Sequence, residues 1–130
     1  VTTRFEDLKG QTIIAIDITD HDSRVEIKTK EGNEYLIMHH QDCCENVYLA
    51  EIVGDINDII GSKILEAEEV TEECTKNAEL GDYYYDEACM WTFYKLRTRK
   101  GIVTLRWLGT SNGYYSVGVS FSLYNEDRWH

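Results

Sequence analysis

The sequence predicts an α+β domain dominated by antiparallel β-sheet, with one short helix near residues 55–61. Three observations carry that prediction. β-branched or alternating apolar runs are separated by turn clusters over residues 12–40, one short stretch has both a helix start and a helix stop, and two turn signals in the last third let long strands fold back.

Taken in order, "TIIAIDIT" (12–19), "RVEIKTK" (24–30) and "EYLIMHH" (34–40) are split by "DHDS" and "EGN", which predicts an antiparallel meander. "ENVYLAEIV" (45–53) fits a strand or a short helix, and its periodicity does not choose. In "DINDIIGS", Asp55 is a candidate N-cap and Gly61 a candidate stop, so about two helical turns are expected. "KILEAEEVTEEC" (63–74) alternates weakly and reads as an edge strand, although its glutamates also suit a helix. "TKNAELGDYYYDEA" (75–88) is polar and turn-rich, a long loop expected to be mobile. With no repeats or linkers, residues 1–130 read as a single domain.

The last third predicts a C-terminal unit of three hairpin-linked strands. A two-residue turn at Lys100–Gly101 would set Leu96 opposite Leu105 and Tyr94 opposite Trp107 as a core face. A three-residue loop Ser111–Asn112–Gly113 would then pair Trp107 with Val117, Leu105 with Val119 and Val103 with Phe121, all apolar. A tighter Asn112–Gly113 turn would place Gly118 and Ser120 in the core, so burial selects the longer loop.

Composition excludes several classes. A chain of 130 residues buries roughly two thirds of its unfolded surface, and 42% hydrophobic content supports a packed core rather than disorder. No apolar run is long enough to span a bilayer, and "VTTRFEDLKG" has no signal-peptide pattern, so a soluble intracellular protein is expected, with its four cysteines reduced. A net charge of -11 argues against general nucleic-acid binding.

Against that charge, "KLRTRKGIVTLRW" (95–107) holds five of the thirteen Lys and Arg residues and no acid. On the sheet face opposite the core, the expected pairing places Lys95, Arg97 and Arg106 beside Ser116, Gly118 and Ser120, with Trp91, Phe93 and Tyr114 toward one end. Cations, hydroxyls and exposed rings on one face suit a small ligand with phosphates and a flat base. Lys95, Arg97 and Arg106 would neutralise charge, Trp91, Phe93 or Tyr114 would stack, and Ser116 and Ser120 would donate hydrogen bonds. The plainer reading is that these cations pair with the acidic stretch at 63–90, lying alongside as a neighbouring strand and loop.

"HHQDCCE" (39–45) is the other stretch with chemical potential. On an extended chain His40, Asp42 and Cys44 share one side and could bind a metal, but zinc-site spacing is absent and packed Cys and His are the favoured reading. A nucleophile built from Cys43 or Cys44 with His21, His39 or His40 lacks any visible orienting acid or oxyanion hole. There is no Walker A loop or GxGxxG, and Asp17, Asp20 and Asp22 read as a hydrated hairpin. Neither cofactor nor catalysis is expected.

The run "HHQDCCENV", "DINDIIGSKILEAEE" and "WTFYKL" followed by "KGIVTLRWLGTSNGYYS" resembles a family of small, functionally unassigned proteins of bacteriophages and prophages, over most of residues 10–121. That resemblance implies a phage accessory protein in the cytoplasm of an infected bacterium and supplies no catalytic residues. Such a protein could sequester a nucleotide immune signal, often between subunits of a homo-oligomer, or inhibit a host defence protein by imitating nucleic acid with its acidic surface.

Overall fold

The computed structural model of the chain describes residues 3–19, 23–40, 45–73, 88–111 and 117–123. Its strands are β1 (Ile13–Thr19), β2 (Arg24–Thr29), β3 (Glu34–Met38), β4 (Asn46–Val53), β5 (Glu66–Glu73), β6 (Ala88–Thr98), β7 (Gly101–Ser111) and β8 (Ser120–Leu123). Two 3₁₀ turns accompany them, η1 (Phe5–Leu8) and η2 (Ile56–Asp58). The strands form two antiparallel sheets, ordered β1-β2-β3-β8 and β4-β7-β6-β5.

Alternation in the first sheet sends one apolar row after another to the same side. Ile18, Val25, Ile37 and Phe121 lie side by side across the four strands, as do Ile16, Ile27, Tyr35 and Leu123. The second sheet answers with Leu49 beside Trp107, Ile52 beside Leu105 and Tyr94, and Val103 beside Leu96 and Ala67. Both sets belong to one hydrophobic core. Phe5 of η1 joins them, its ring 4.7 Å from that of Tyr94 and 5.2 Å from that of Phe121. Each fully buried large apolar side chain of this kind contributes about 1.5–3 kcal/mol. Trp107, the largest of them, is buried with its indole N–H unpaired among the described residues.

The β-rich architecture and the meander are as the sequence predicts, and "ENVYLAEIV" resolves into a strand. Its apolar residues do not alternate strictly, since Leu49 and Ile52 are three apart. A bulge between Leu49 and Glu51 absorbs the extra residue, so that both face inward.

The helix expected near 55–61 is a correction. Only Ile56–Asp58 turn, in 3₁₀ form, capped by the Asp55 carboxylate accepting from the Asn57 N–H. The chain must then extend, because Ile59 is fully buried and Ile60 bridges to Ile13 of β1. Together with η1, which the sequence reading missed, the described residues form a mostly antiparallel β-sheet fold whose helical part is two short 3₁₀ turns, so the α+β expectation is matched only loosely.

The β6–β7 hairpin turns at Arg99–Lys100, pairing Tyr94 with Leu105 and Leu96 with Val103, two positions from the expected register. An even shift leaves every side chain on its expected face. Thr98 stabilises the turn, its hydroxyl accepting from the Lys100 N–H and donating to the Asp58 carbonyl. Gly101 is used for packing: a Cβ there would lie 2.7 Å from the Asp58 carboxylate.

The three-stranded C-terminal unit is not formed. β7 is flanked by β6 and β4, while β8 crosses to the other sheet and pairs with β3. Val117 and Phe121 still reach the core, so the apolar pattern satisfied burial without revealing which strand lay adjacent.

Cys89 corrects the expectation of reduced thiols, because it is disulfide-bonded. Cys43, Cys44 and Cys74 lie outside the described residues, as does nearly all of the predicted loop 75–88. Among the described residues no helix is long and apolar enough to cross a membrane.

Candidate functional site

Inward-facing Tyr94, Leu96, Val103, Leu105 and Trp107 force the intervening residues of β6 and β7 onto the outer face of the second sheet. Register arranges that face in rows across β5, β6, β7 and β4. Glu72, Trp91, Leu108 and Tyr48 form one, followed by Val70, Phe93, Arg106 and Glu51, then Glu68, Lys95, Thr104 and Val53, and finally Glu66, Arg97 and Ile102. Lys95, Arg97 and Arg106 therefore share a face with Trp91 and Phe93, as predicted.

At the centre lies a cation–aromatic platform. The Trp91 and Phe93 rings are stacked, with centroids 6.0 Å apart and planes 7° apart. The Arg106 guanidinium lies over both, 4.7 Å from the Trp91 centroid and 5.6 Å from that of Phe93. Such contacts stabilise by about 0.5–1 kcal/mol each at exposed sites. An ion pair with Glu51 holds the guanidinium from its other side. The β4 bulge makes that pair possible, because it shifts Glu51 into the position opposite Arg106.

Charge on this face is nearly balanced. Arg97 is paired with Glu66 at 2.8 Å, which holds the Glu66 carboxyl below and the Arg97 guanidinium above their ordinary values through that hydrogen bond and the attraction between the charges. Lys95 is exposed, sits opposite Glu68 in the ladder and makes no ion pair among the described residues. Glu72 adds a further carboxylate. The acidic strand thus does lie alongside the cations, and the face holds anions enough to offset them.

Of the two serines expected on this face, Ser120 is not brought there. Ser120 lies on β8 in the other sheet and donates to the Met38 carbonyl at 3.0 Å. Tyr114 and Ser116 lie outside the described residues. Glu51 is the functional neighbour that sequence reasoning missed; the irregular spacing of Leu49 and Ile52 was the available sign of the bulge.

In "HHQDCCE", His39 and Glu45 form a pin between the sheets. His39 Nδ1 lies 2.7 Å from the Gly118 carbonyl oxygen and Nε2 lies 2.7 Å from Glu45 Oε2. The carbonyl can only accept, so Nδ1 carries hydrogen. The pair is buried, with side chains 6% and 0% exposed. With both ring nitrogens engaged, His39 has no lone pair to offer a metal or a thiol. His40 is exposed at the end of β3, while Asp42 and Cys44 lie outside the described residues. Among the described residues, no three His, Cys, Asp or Glu side chains converge as metal ligands.

On the inner side of the same sheet, burial pushes the Tyr94 hydroxyl far above the ordinary phenol value, and Glu69 reinforces that shift. Desolvation likewise raises the Glu69 carboxyl, against the hydrogen bond it accepts from Tyr94 at 3.3 Å. These groups support the core edge and point to no substrate.

A family model described as a domain of unknown function matches residues 6–121. No curated protein and no solved structure matches the chain.

Proposed function

The chain belongs to the DUF7448 family, a domain of unknown function, and on that premise we propose that it is a non-catalytic binding module that captures a small phosphate-bearing nucleotide on the outer face of the second sheet. The observation that carries this reading is the Arg106 guanidinium laid over stacked Trp91 and Phe93, one row from Lys95, which makes no ion pair among the described residues. A flat base can stack on or beside that platform, while Lys95 and the exposed edge of Arg106 meet the phosphate. Glu51 and Glu66 set the limit: their charges offset two of the three cations, so a ligand of few charges is favoured over a polyanion. A second copy laid over the face would enclose the ligand.

The setting proposed is a phage accessory protein that removes a nucleotide signal of host defence. Against a cytoplasmic setting stands the disulfide at Cys89, a bond that suits an oxidising compartment. Counting free thiols by mass spectrometry on protein from bacterial cytoplasm decides that point.

A second reading, inhibition of a host protein, draws on a different observation. Edge strand β5 presents Glu66, Glu68, Glu69, Glu72 and Glu73, all exposed, along one border of the molecule. Carboxylates in such a line can imitate a phosphate backbone, although charged edges also serve to block strand addition.

Calorimetry against cyclic and ADP-ribose-derived nucleotides separates the two. Capture predicts binding that weakens at least about tenfold in Arg106→Ala, a loss of about 1.4 kcal/mol, with the nucleotide recovered intact. Absence of heat with every nucleotide, together with co-purification of a host effector, would transfer the case to inhibition. Turnover of the nucleotide would refute the non-catalytic reading.

A further inference from the structure

Basic residues outside the platform remain to be explained, and they surround a pocket. Gly61, Ser62, Lys63, Leu65 and Arg99 line a cavity of about 230 Å³ at the end of the second sheet where β5 begins and β6 turns. We infer that this pocket is an oxyanion site that takes the phosphate group of a phosphomonoester or diphosphate.

The pocket's floor is held in place by backbone bonds on two sides. The Gly61 N–H donates to Ile13 at 2.8 Å and the Ile64 N–H to Gln11 at 2.8 Å, while the Leu65 N–H donates to Arg97 at 2.7 Å. Gly61 has a φ of 86°, which favours glycine at this bend. Ile64 beneath is fully buried and Ser62 nearly so. The rim is therefore presented on a fixed segment, which lowers the ordering cost of binding.

Lys63 and Arg99 are exposed, and neither makes an ion pair among the described residues, unlike Arg97 and Arg106. Close by in the fold, Lys9 acts on the Glu66 carboxyl and Asp58 packs against Gly101, next to Lys100. Glu66 already pairs with Arg97, and Glu31 accepts from the Thr12 N–H at 3.1 Å. Two rim cations are thus left without a carboxylate partner among the described residues of an acidic protein. The volume falls below the roughly 300–1,000 Å³ of pockets that enclose drug-sized ligands, which fits a small anion.

This site stands apart from the nucleotide reading. Arg99 lies six residues from Phe93, roughly 20 Å at strand spacing, so a base stacked on the platform lies well away from it.

The test is a backbone amide NMR titration of the full chain with inorganic pyrophosphate at low salt, with sodium chloride as the ionic-strength control. The expected result is saturable shifts at Gly61 to Leu65 and Arg99, weakened at least about fivefold in Lys63→Gln and Arg99→Gln, retained in Lys63→Arg, and unchanged in Lys28→Gln on the first sheet. Equal shifts with chloride, shifts that survive Lys63→Gln combined with Arg99→Gln, or none at all would overturn the inference. Failure here leaves nucleotide binding to the platform intact, because that binding is read with different ligands and lost in a different variant.

Discussion

Removing the Glu45 carboxylate gives the sharpest test of the buried pin. His39 and Glu45 share one proton across 2.7 Å, in side chains 6% and 0% exposed. Two arrangements satisfy that geometry: an imidazolium donating to a carboxylate, or a carboxylic acid donating to a neutral imidazole. They differ in what Glu45→Ala costs. Breaking a buried ion pair costs about 3–5 kcal/mol, whereas leaving one neutral buried acceptor unpaired costs about 1–3 kcal/mol. Glu45→Gln separates them further, because its amide can replace the carboxylic acid as donor to Nε2 but cannot replace a carboxylate's charge. The neutral arrangement therefore predicts a loss below about 1 kcal/mol for Gln, and the ionic one several times that. Urea unfolding followed by Trp fluorescence reads the difference. With a slope of about 1–3 kcal/mol per molar, a 4 kcal/mol loss moves the midpoint by more than about 1 M, against a total stability of about 5–15 kcal/mol. A loss of less than about 0.5 kcal/mol in Glu45→Ala is surface behaviour and would refute the buried pin altogether.

The edge strand offers opposite pH signatures. Glu69 has a raised folded value, chiefly from desolvation, so its contribution is full in acid and is lost as pH rises through that value; Glu69→Gln should melt higher than the parent at neutral pH, and the gain should vanish in acid. Glu66 has a lowered value, from Arg97, so Glu66→Gln should melt lower at neutral pH and the difference should close as pH falls. Thermal melts across pH check both, and curves of the same sign for the two variants would contradict the assignment. Trp107→Phe removes an unpaired buried N–H along with part of a ring, so the loss should stay below the roughly 3–5 kcal/mol typical of truncating a large aromatic to Ala; denaturant midpoints decide it.

The sequence by itself determined which side chains face the core and which face out along β6 and β7. Period-two alternation fixes facing whatever the partner strand, and so the hairpin turn could move by two positions without displacing Lys95, Arg97 or Arg106 from the face of Trp91 and Phe93. It likewise determined the meander, where short turns leave each strand little choice of neighbour. Only the tertiary structure decided which strands are adjacent over long distances. Val117 and Phe121 suit a core beside β7 as well as one beneath it, and β4 took the place beside β7 while β8 crossed to β3. The same choice supplied Glu51 to Arg106 and separated Ser120 from the platform, while the fold elsewhere brought Lys63 and Arg99 to one pocket. Local pattern encodes burial, which is a property of one strand; a binding site depends on adjacency, which is a property of several.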